Sequence, residues 1–323
     1  MVNCSHSKCH ESAVINVVKP YCRAHFIRYF ESKVAATVKK YKLISKKDRV
    51  IVACSGGKDS TTVLYLLNKW FGNVTALAID EGIPGYRNAT LEDLRSFCSR
   101  NKITLKTFSY KETFGFSLHE ALKKVDVLPC NICGTLRRYL LNTGAKGFTR
   151  IATGHNLDDE AQSIVMNFMK GNLELAARLG PLTGVVEEKK FVQRVKPLYF
   201  CLEKEVAAYA FLQNFGIRFN ECPHSRISFR AAIRDFINGL EQQHPGAKQN
   251  IISNFLKILP RLKRKYATAS SISYCSGCGE PSSNELCKAC VYVNSLTEVG
   301  QVDKQKNKSA AAGVTTVMET NHL

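Results

Sequence analysis

The stretch with the densest chemistry is Ser55-Gly56-Gly57-Lys58-Asp59-Ser60. Its two glycines let the backbone approach a bulky phosphate. Lys58 adds a full positive charge, Ser55 and Ser60 offer hydroxyls, and Asp59 could hold the Mg²⁺ that travels with a nucleotide. This is not a Walker A loop, whose lysine is followed by serine or threonine. A second stretch, Gly154-His155-Asn156-Leu157-Asp158-Asp159-Glu160, carries three acids. They would repel phosphate unless a metal intervened, which suits Mg²⁺ or contact with a substrate oxygen. Acids are also ordinary at the start of a helix.

The 13 cysteines include close pairs at Cys4/Cys9, Cys130/Cys133, Cys275/Cys278 and Cys287/Cys290. The N-terminus lacks the apolar core of a signal peptide, so these pairs point to metal or redox chemistry rather than disulfides. Cys4, Cys9, Cys22 and His25 are compatible with a tetrahedral zinc site, with His6 and His10 as rival ligands. Cys275, Cys278, Cys287 and Cys290, turned by Gly277, Gly279 and Pro281, form a zinc ribbon. Cys130 and Cys133 open a helix that also carries Arg137 and Arg138, a setting expected to depress thiol pKa values. The nearest unassigned partner is Cys222, in Asn220-Glu221-Cys222-Pro223-His224-Ser225. Three cysteines without a fourth suit an iron–sulfur cluster with one open iron, or a sulfur relay.

These residues need elements to position them. The apolar run Arg49–Cys54 reads as a buried parallel strand, and Thr61–Asn68 as a helix. The hexapeptide would then lie at a helix N-terminus, which attracts anions. Strands at Val74–Ile79, Thr104–Phe108 and Thr149–Thr153 alternate with helices at Thr90–Asn101 and after Ser117, where Ser117 and Glu120 form a capping box. Such alternation predicts a doubly wound parallel sheet, with ligands at the carboxyl ends of the strands. Asp80 and Glu81 fall at one such end and could read adenosine or RNA, or cap the next turn. Residues 26–47 read as a basic amphipathic helix with Phe26, Ile27, Phe30, Val34 and Val38 inward and Lys33, Lys39, Lys40, Lys42, Lys46 and Lys47 outward. Residues 171–200 read as loops. Glu203–Phe215 reads as a helix, and Ile217-Arg218-Phe219 as a short strand delivering Cys222. Arg226, Arg230 and Arg234 form a basic stripe, and Lys257, Arg261, Lys263, Arg264 and Lys265 a second patch.

A net charge of +19 over 323 residues points to a polyanionic partner, of which a phosphate backbone is the commonest. No stretch approaches the roughly 20 apolar residues of a membrane span, so a cytoplasmic protein is expected.

The hexapeptide resembles the PP-loop of the N-type ATP pyrophosphatases, which cut ATP between its α and β phosphates. Taken with Cys130/Cys133, Gly154–Glu160, Cys222 in its Cys-Pro-His-Ser context and the two terminal modules, the chain resembles the tRNA 2-thiouridine synthetases from Cys4 to Cys290. That resemblance implies an adenine nucleotide alpha hydrolase-like fold flanked by an N-terminal zinc finger and a C-terminal zinc ribbon. It implies ATP, Mg²⁺, two Zn²⁺ and a [4Fe-4S] cluster held by Cys130, Cys133 and Cys222. The PP-loop site would draw on Ala53, Ser55, Gly56, Gly57, Lys58, Asp59, Ser60, Asp80, Gly154, His155, Asp158 and Asp159. Lys58, Asp59, Asp159 and the three cysteines would carry the chemistry. The partners implied are tRNA, a ubiquitin-like sulfur carrier and a second copy of the chain. The wide Cys4/Cys9 spacing and Arg137, where some relatives carry lysine, depart from the pattern. Pro245-Gly246-Ala247-Lys248 and the Cys-Pro-His-Ser context lean to the enzymes of the tRNA T-loop over those of the wobble position. The alternatives are a PP-loop synthetase with a nitrogen nucleophile, a cysteine-persulfide relay without a cluster, and an RNA-binding protein without catalysis. The expected units are 1–27 (finger), 28–47 (linker helix), 48–225 (ATP-binding domain), 226–270 (basic helical segment), 271–294 (ribbon) and 295–323 (a disordered tail).

Overall fold

The computed structural model describes residues 2–185, 192–218, 220–225, 228–267 and 273–297. In chain order, a small hairpin of β1 (Ile15–Asn16) and β2 (Pro20–Tyr21) precedes α1 (Arg23–Lys40). The central domain follows as β3 (Val50–Ala53), α2 (Lys58–Phe71), β4 (Val74–Asp80), α3 (Arg87–Arg100) and β5 (Thr104–Ser109). The short α4 (Tyr110–Phe114) and α5 (Leu118–Leu122) lead to α6 (Pro129–Gly144), β6 (Arg150–Thr153), α7 (Leu157–Met169) and α8 (Leu173–Ala177). Then come β7 (Gln193–Val195), α9 (Glu203–Leu212), α10 (Phe229–Gln243) and α11 (Ala247–Ala267). The hairpin of β8 (Ser273–Tyr274) and β9 (Pro281–Ser282) opens the last module.

The sheet runs β5-β4-β3-β6-β7, and every neighbouring pair is parallel. Order reverses between β3 and β6, so their carboxyl ends flank the switch point where such sheets bind ligands. Ala53 lies opposite Thr153, which brings the ends of β3 and β6 level, while β4 runs three residues past Leu77, its partner of Ala53, to Asp80. Val50 and Val52 face one core with α1, α2 and α9, whereas Ile51 and Ile151 face another with α6. This is the two-residue period of a strand buried on both sides. A third core joins α7, α8 and α11.

The helix expected over 26–47 begins at Arg23 and ends at Lys40. Lys42 takes a positive φ of 49°, which turns the chain so that Leu43 and Ile44 enter the core. Lys33 is also not on an outward basic face: it pairs at 2.7 Å with the fully buried Glu205 of α9, to which the Tyr29 hydroxyl donates. The loops expected over 171–200 contain α8 and the edge strand β7. Ile217 and Arg218 form no strand; Asp93 of α3 instead accepts from the backbone N–H and side chain of Arg218. The helix begun at Glu203 closes at Leu212, ahead of Gly216. Phe219, Arg226 and the tail from 298 lie outside the described residues. Residues 288–297 are helical, and Leu296 packs into the α6 core. Among the described residues no helix is long and apolar enough to cross a membrane.

Candidate active site

The β3–α2 turn forms the floor of the site. Gly56 has φ +86°, and a side chain there would put its Cβ 2.3 Å from the Thr90 carbonyl oxygen, so only glycine fits. Gly57 caps α2. The Ser55 and Gly57 N–H groups donate to the Ser60 and Ser55 hydroxyls, at 3.2 and 3.3 Å. The turn is therefore ordered before any anion arrives. The Lys58 ammonium donates to Asp59 at 3.1 Å and to Glu203 at 2.8 Å. Burial pulls its pKa down, but these two carboxylates outweigh burial and raise it, so Lys58 stays charged.

The second wall comes from the end of β6. A Cβ on Gly154 would lie 2.6 Å from the Ser60 N, so the two loops touch backbone to backbone. Asn156 joins them: its amide donates to Asp59 at 3.0 Å, and its carbonyl accepts from Asp159 N–H at 3.1 Å. The Asp159 carboxylate accepts in return from Asn156 N–H, completing a capping box. Arg230 of α10 lies 3.4 Å from Asp159 and donates to the Ser163 hydroxyl. Burial raises the Asp159 pKa to about 6, and repulsion from Asp59 adds to it while Arg230 opposes it. Burial raises Asp59 as well. Two acids whose charges oppose one another fit a divalent cation between them.

Asp158 does not face this cleft. It accepts from the Glu203 N–H at 2.7 Å and from buried Lys248, tying α9 and α11 to α7. Glu160 likewise pairs internally with Lys196, at 2.6 Å. His155 is solvent-accessible on this wall. Desolvation there, followed by the charges of Lys196, Arg230, Arg137 and Arg194, lowers its pKa to about 3. One ring nitrogen meets the Thr153 hydroxyl at 2.9 Å. Asp80 accepts from Gly82 N–H at 2.9 Å and so closes a turn.

The thiol site lies on the α6 side. Cys130 sits in the first turn of α6, with its sulfur 3.8 Å from the His224 carbonyl oxygen. Cys222 feels the charge of Cys130, and Cys133 that of Cys222. The three thiols are thus electrostatic neighbours, and their sulfurs do not lie within 4.8 Å of one another as those of the zinc-type sets do. A cube of irons and sulfides is larger than a single ion, so this wider set of soft donors fits it. The pKa depression expected at Cys133 is not found: burial raises Cys133, and the charge of Arg137 only partly offsets it; burial raises Cys222 too. Arg137 is 3.7 Å from Glu81, which is 3.0 Å from Arg87, whose guanidinium donates to the Ser55 carbonyl at 2.6 Å. Glu81 and Arg87 are 5% and 2% exposed, so this chain of charges links the thiol site to the PP-loop through the interior.

Both terminal sets assemble. The donor atoms of Cys4, Cys9, Cys22 and His25 all lie within 4.8 Å of one another, as do those of Cys275, Cys278, Cys287 and Cys290. His6 stacks on the His25 ring at 3.9 Å, and neither His6 nor His10 joins the first set. Sequence reasoning passed over Asn156, Glu203, Arg87 and the tie from Arg230 to Asp159. Only Asn156 carried a signal, an Asn three residues before an acid.

The model of the PP-loop domain family matches residues 28–240. The tRNA-5-methyluridine(54) 2-sulfurtransferase of Pyrococcus horikoshii is 37% identical over 88% of this chain and 92% of its own. Cytoplasmic tRNA 2-thiolation protein 1 of Laccaria bicolor is 34% identical over 90% and 85%. Among solved structures, the U34-tRNA thiolase NcsA of Methanococcus maripaludis with its [4Fe-4S] cluster superposes with a TM-score of 0.76, at 32% identity over 92% of this chain and 97% of that one.

Proposed function

Since the chain belongs to the PP-loop family of tRNA 2-thiolation proteins, we propose that it adenylates the C2 oxygen of a tRNA uridine and replaces that oxygen with sulfur. The observation that carries this reading is the contact of the two loops through Gly154 and Asn156, joined toward the thiol site by the Ser55–Arg87–Glu81–Arg137 chain. ATP phosphates dock on the N–H groups at the start of α2, and Lys58 leaves Glu203 to neutralise charge developing on them. Asp59 and Asp159 would hold Mg²⁺, which would offset charge on the phosphates. The uracil O2 attacks the α-phosphorus and pyrophosphate departs. The resulting AMP ester turns a poor leaving oxygen into a good one, and sulfur attack at C2 then releases AMP.

Cys130, Cys133 and Cys222 would hold a [4Fe-4S] cluster, which supplies a Lewis-acidic centre for inorganic sulfur. Around them, Tyr110 donates its hydroxyl to the Cys133 carbonyl at 2.8 Å and so fixes the first turn of α6. Zinc held by the two terminal sets would supply folding energy that such short segments lack. A ubiquitin-like sulfur carrier and a homodimer are supported by the family resemblance alone. Relatives named as cytoplasmic support a cytoplasmic location.

The relatives include enzymes named for position 54 and for position 34. Pro245–Lys248 offers no choice between them, because Gly246 and Lys248 N–H groups donate to Glu241 and the Lys248 ammonium is buried against Asp158. The test is to incubate anaerobically purified protein with ATP, sulfide and unmodified tRNA. One AMP and one pyrophosphate per 2-thiouridine is the expected result. Release of ADP, or a nitrogen-containing product nucleoside, contradicts it.

A further inference from the structure

Arg138 and Arg194 stand apart from the other cations of the cleft. Arg137, Arg230 and Lys196 each have a carboxylate within 4.0 Å. Among the described residues, neither Arg138 nor Arg194 has one. Arg194 instead feels Arg138: desolvation first, and then the charge of Arg138, lowers its pKa to about 10. Adjacent like charges are costly unless an anion sits between them.

Their placement follows from the fold. Arg194 lies opposite Ile151 in the β6–β7 ladder and so shares that residue's face of the sheet, the one covered by α6. From the edge strand its Nη2 donates to Asn142 Oδ1 at 2.6 Å. Cys130, Gly134, Arg138 and Asn142 are spaced four apart and form one ridge of α6. Arg138 folds back along that ridge, and a Cβ on Gly134 would lie 3.3 Å from its Nη1. One guanidinium thus lies along a ridge that ends at Cys130, and the other is bonded to that ridge from the edge strand. α2 packs on the opposite face with Val50 and Val52.

We propose that Arg138 and Arg194 together bind a backbone phosphate of the RNA flanking the target uridine, guiding that nucleotide along α6 toward the thiols. This rests on the RNA-modifying reading above. Guanidinium forks match a phosphate's oxygens in pairs, which lysine does not. Enzymes that act on a base take much of their positioning from the flanking nucleotides.

The test uses full-length protein and unmodified tRNA transcript, with affinity followed against KCl concentration. Each lost phosphate contact lowers the slope of log K against log salt by about 0.7–0.9. Both arginines contact the one phosphate, so the double variant Arg138→Gln/Arg194→Gln loses about one such step. It also shows at least a several-fold rise in the KM for tRNA at an unchanged KM for ATP. Arg138→Gln alone, at an exposed position, keeps the test valid if the double variant misfolds, and it too flattens the slope. Arg138→Lys/Arg194→Lys retains the slope. An unchanged slope overturns the proposal, as does a rise confined to the KM for ATP. A slower thiolation with unaltered RNA binding also overturns it and assigns the pair to sulfur delivery. If the wild type shows no salt-dependent tRNA binding, the functional reading fails with it; a wild type that binds with a slope the variants share sinks this proposal alone.

Discussion

Asn156 bonds to both halves of the site at once, with its amide on Asp59 and its carbonyl on Asp159 N–H. Asn156→Ala should cost about 1 kcal/mol as a lost helix cap, measured by urea unfolding. It should lower kcat by a larger factor, about tenfold or more, because Asp59 loses its orientation as well. Lys58→Ala should lower kcat by about 10²–10³ while leaving tRNA affinity near wild type. That result would separate the enzyme from a protein that only binds RNA, for which Lys58 is dispensable. His155 has a folded pKa near 3 against an ordinary value of 6.5. Between those values the unfolded chain takes up a proton that the folded chain refuses. Its contribution to stability is therefore complete above pH 6.5 and lost progressively as pH falls toward 3. Comparing wild type with His155→Gln by urea unfolding from pH 4 to 7 should show the wild type losing more stability on acidification.

At the scale of elements, the site depends on how closely β6 approaches α2. Gly154→Ala forces a Cβ to within 2.6 Å of backbone, where nothing flexible can yield. The loop must shift, at a cost of about 1–3 kcal/mol and with a raised KM for ATP. Much of this frame was legible from residue types. The strand before Ser55 and the helix after it were readable because apolar periodicity and glycine placement agreed. The capping box of Ser117 and Glu120 was readable because its spacing is local, and both of its bonds form. What escaped was set by distant partners. β7 has only three residues and is a strand because β6 offers it an edge. The end of α1 at Lys40 follows from Leu43 and Ile44 finding the core. Cys133 was expected to be acidic from its helix and arginines. Burial and Glu81, which no local pattern announces, reverse that.

The whole molecule is a switch-point sheet with a thiol donor set beside it and a metal-type module at each end. The modules are not free appendages. Ala289, Leu296 and Cys287 pack into the same core as Leu136 and Leu140 of α6. Lys146, just past α6, pairs with Glu280 at 2.5 Å. Cys275→Ser should therefore remove one zinc per chain and lower the melting temperature of the catalytic domain, whereas Cys22→Ser should remove the other zinc. Elemental analysis beside calorimetry checks both, and iron should be unchanged in each.

The central claim, that ATP-driven thiolation at the PP-loop depends on the thiols of α6 and its neighbouring loop, is tested most directly by counting iron and 2-thiouridine together. Anaerobically purified wild type should carry about four irons and convert tRNA in the presence of ATP and sulfide. Cys130→Ala, Cys133→Ala and Cys222→Ala should each keep both zincs, lose iron and form no 2-thiouridine. Undiminished 2-thiouridine from the triple variant would contradict the account.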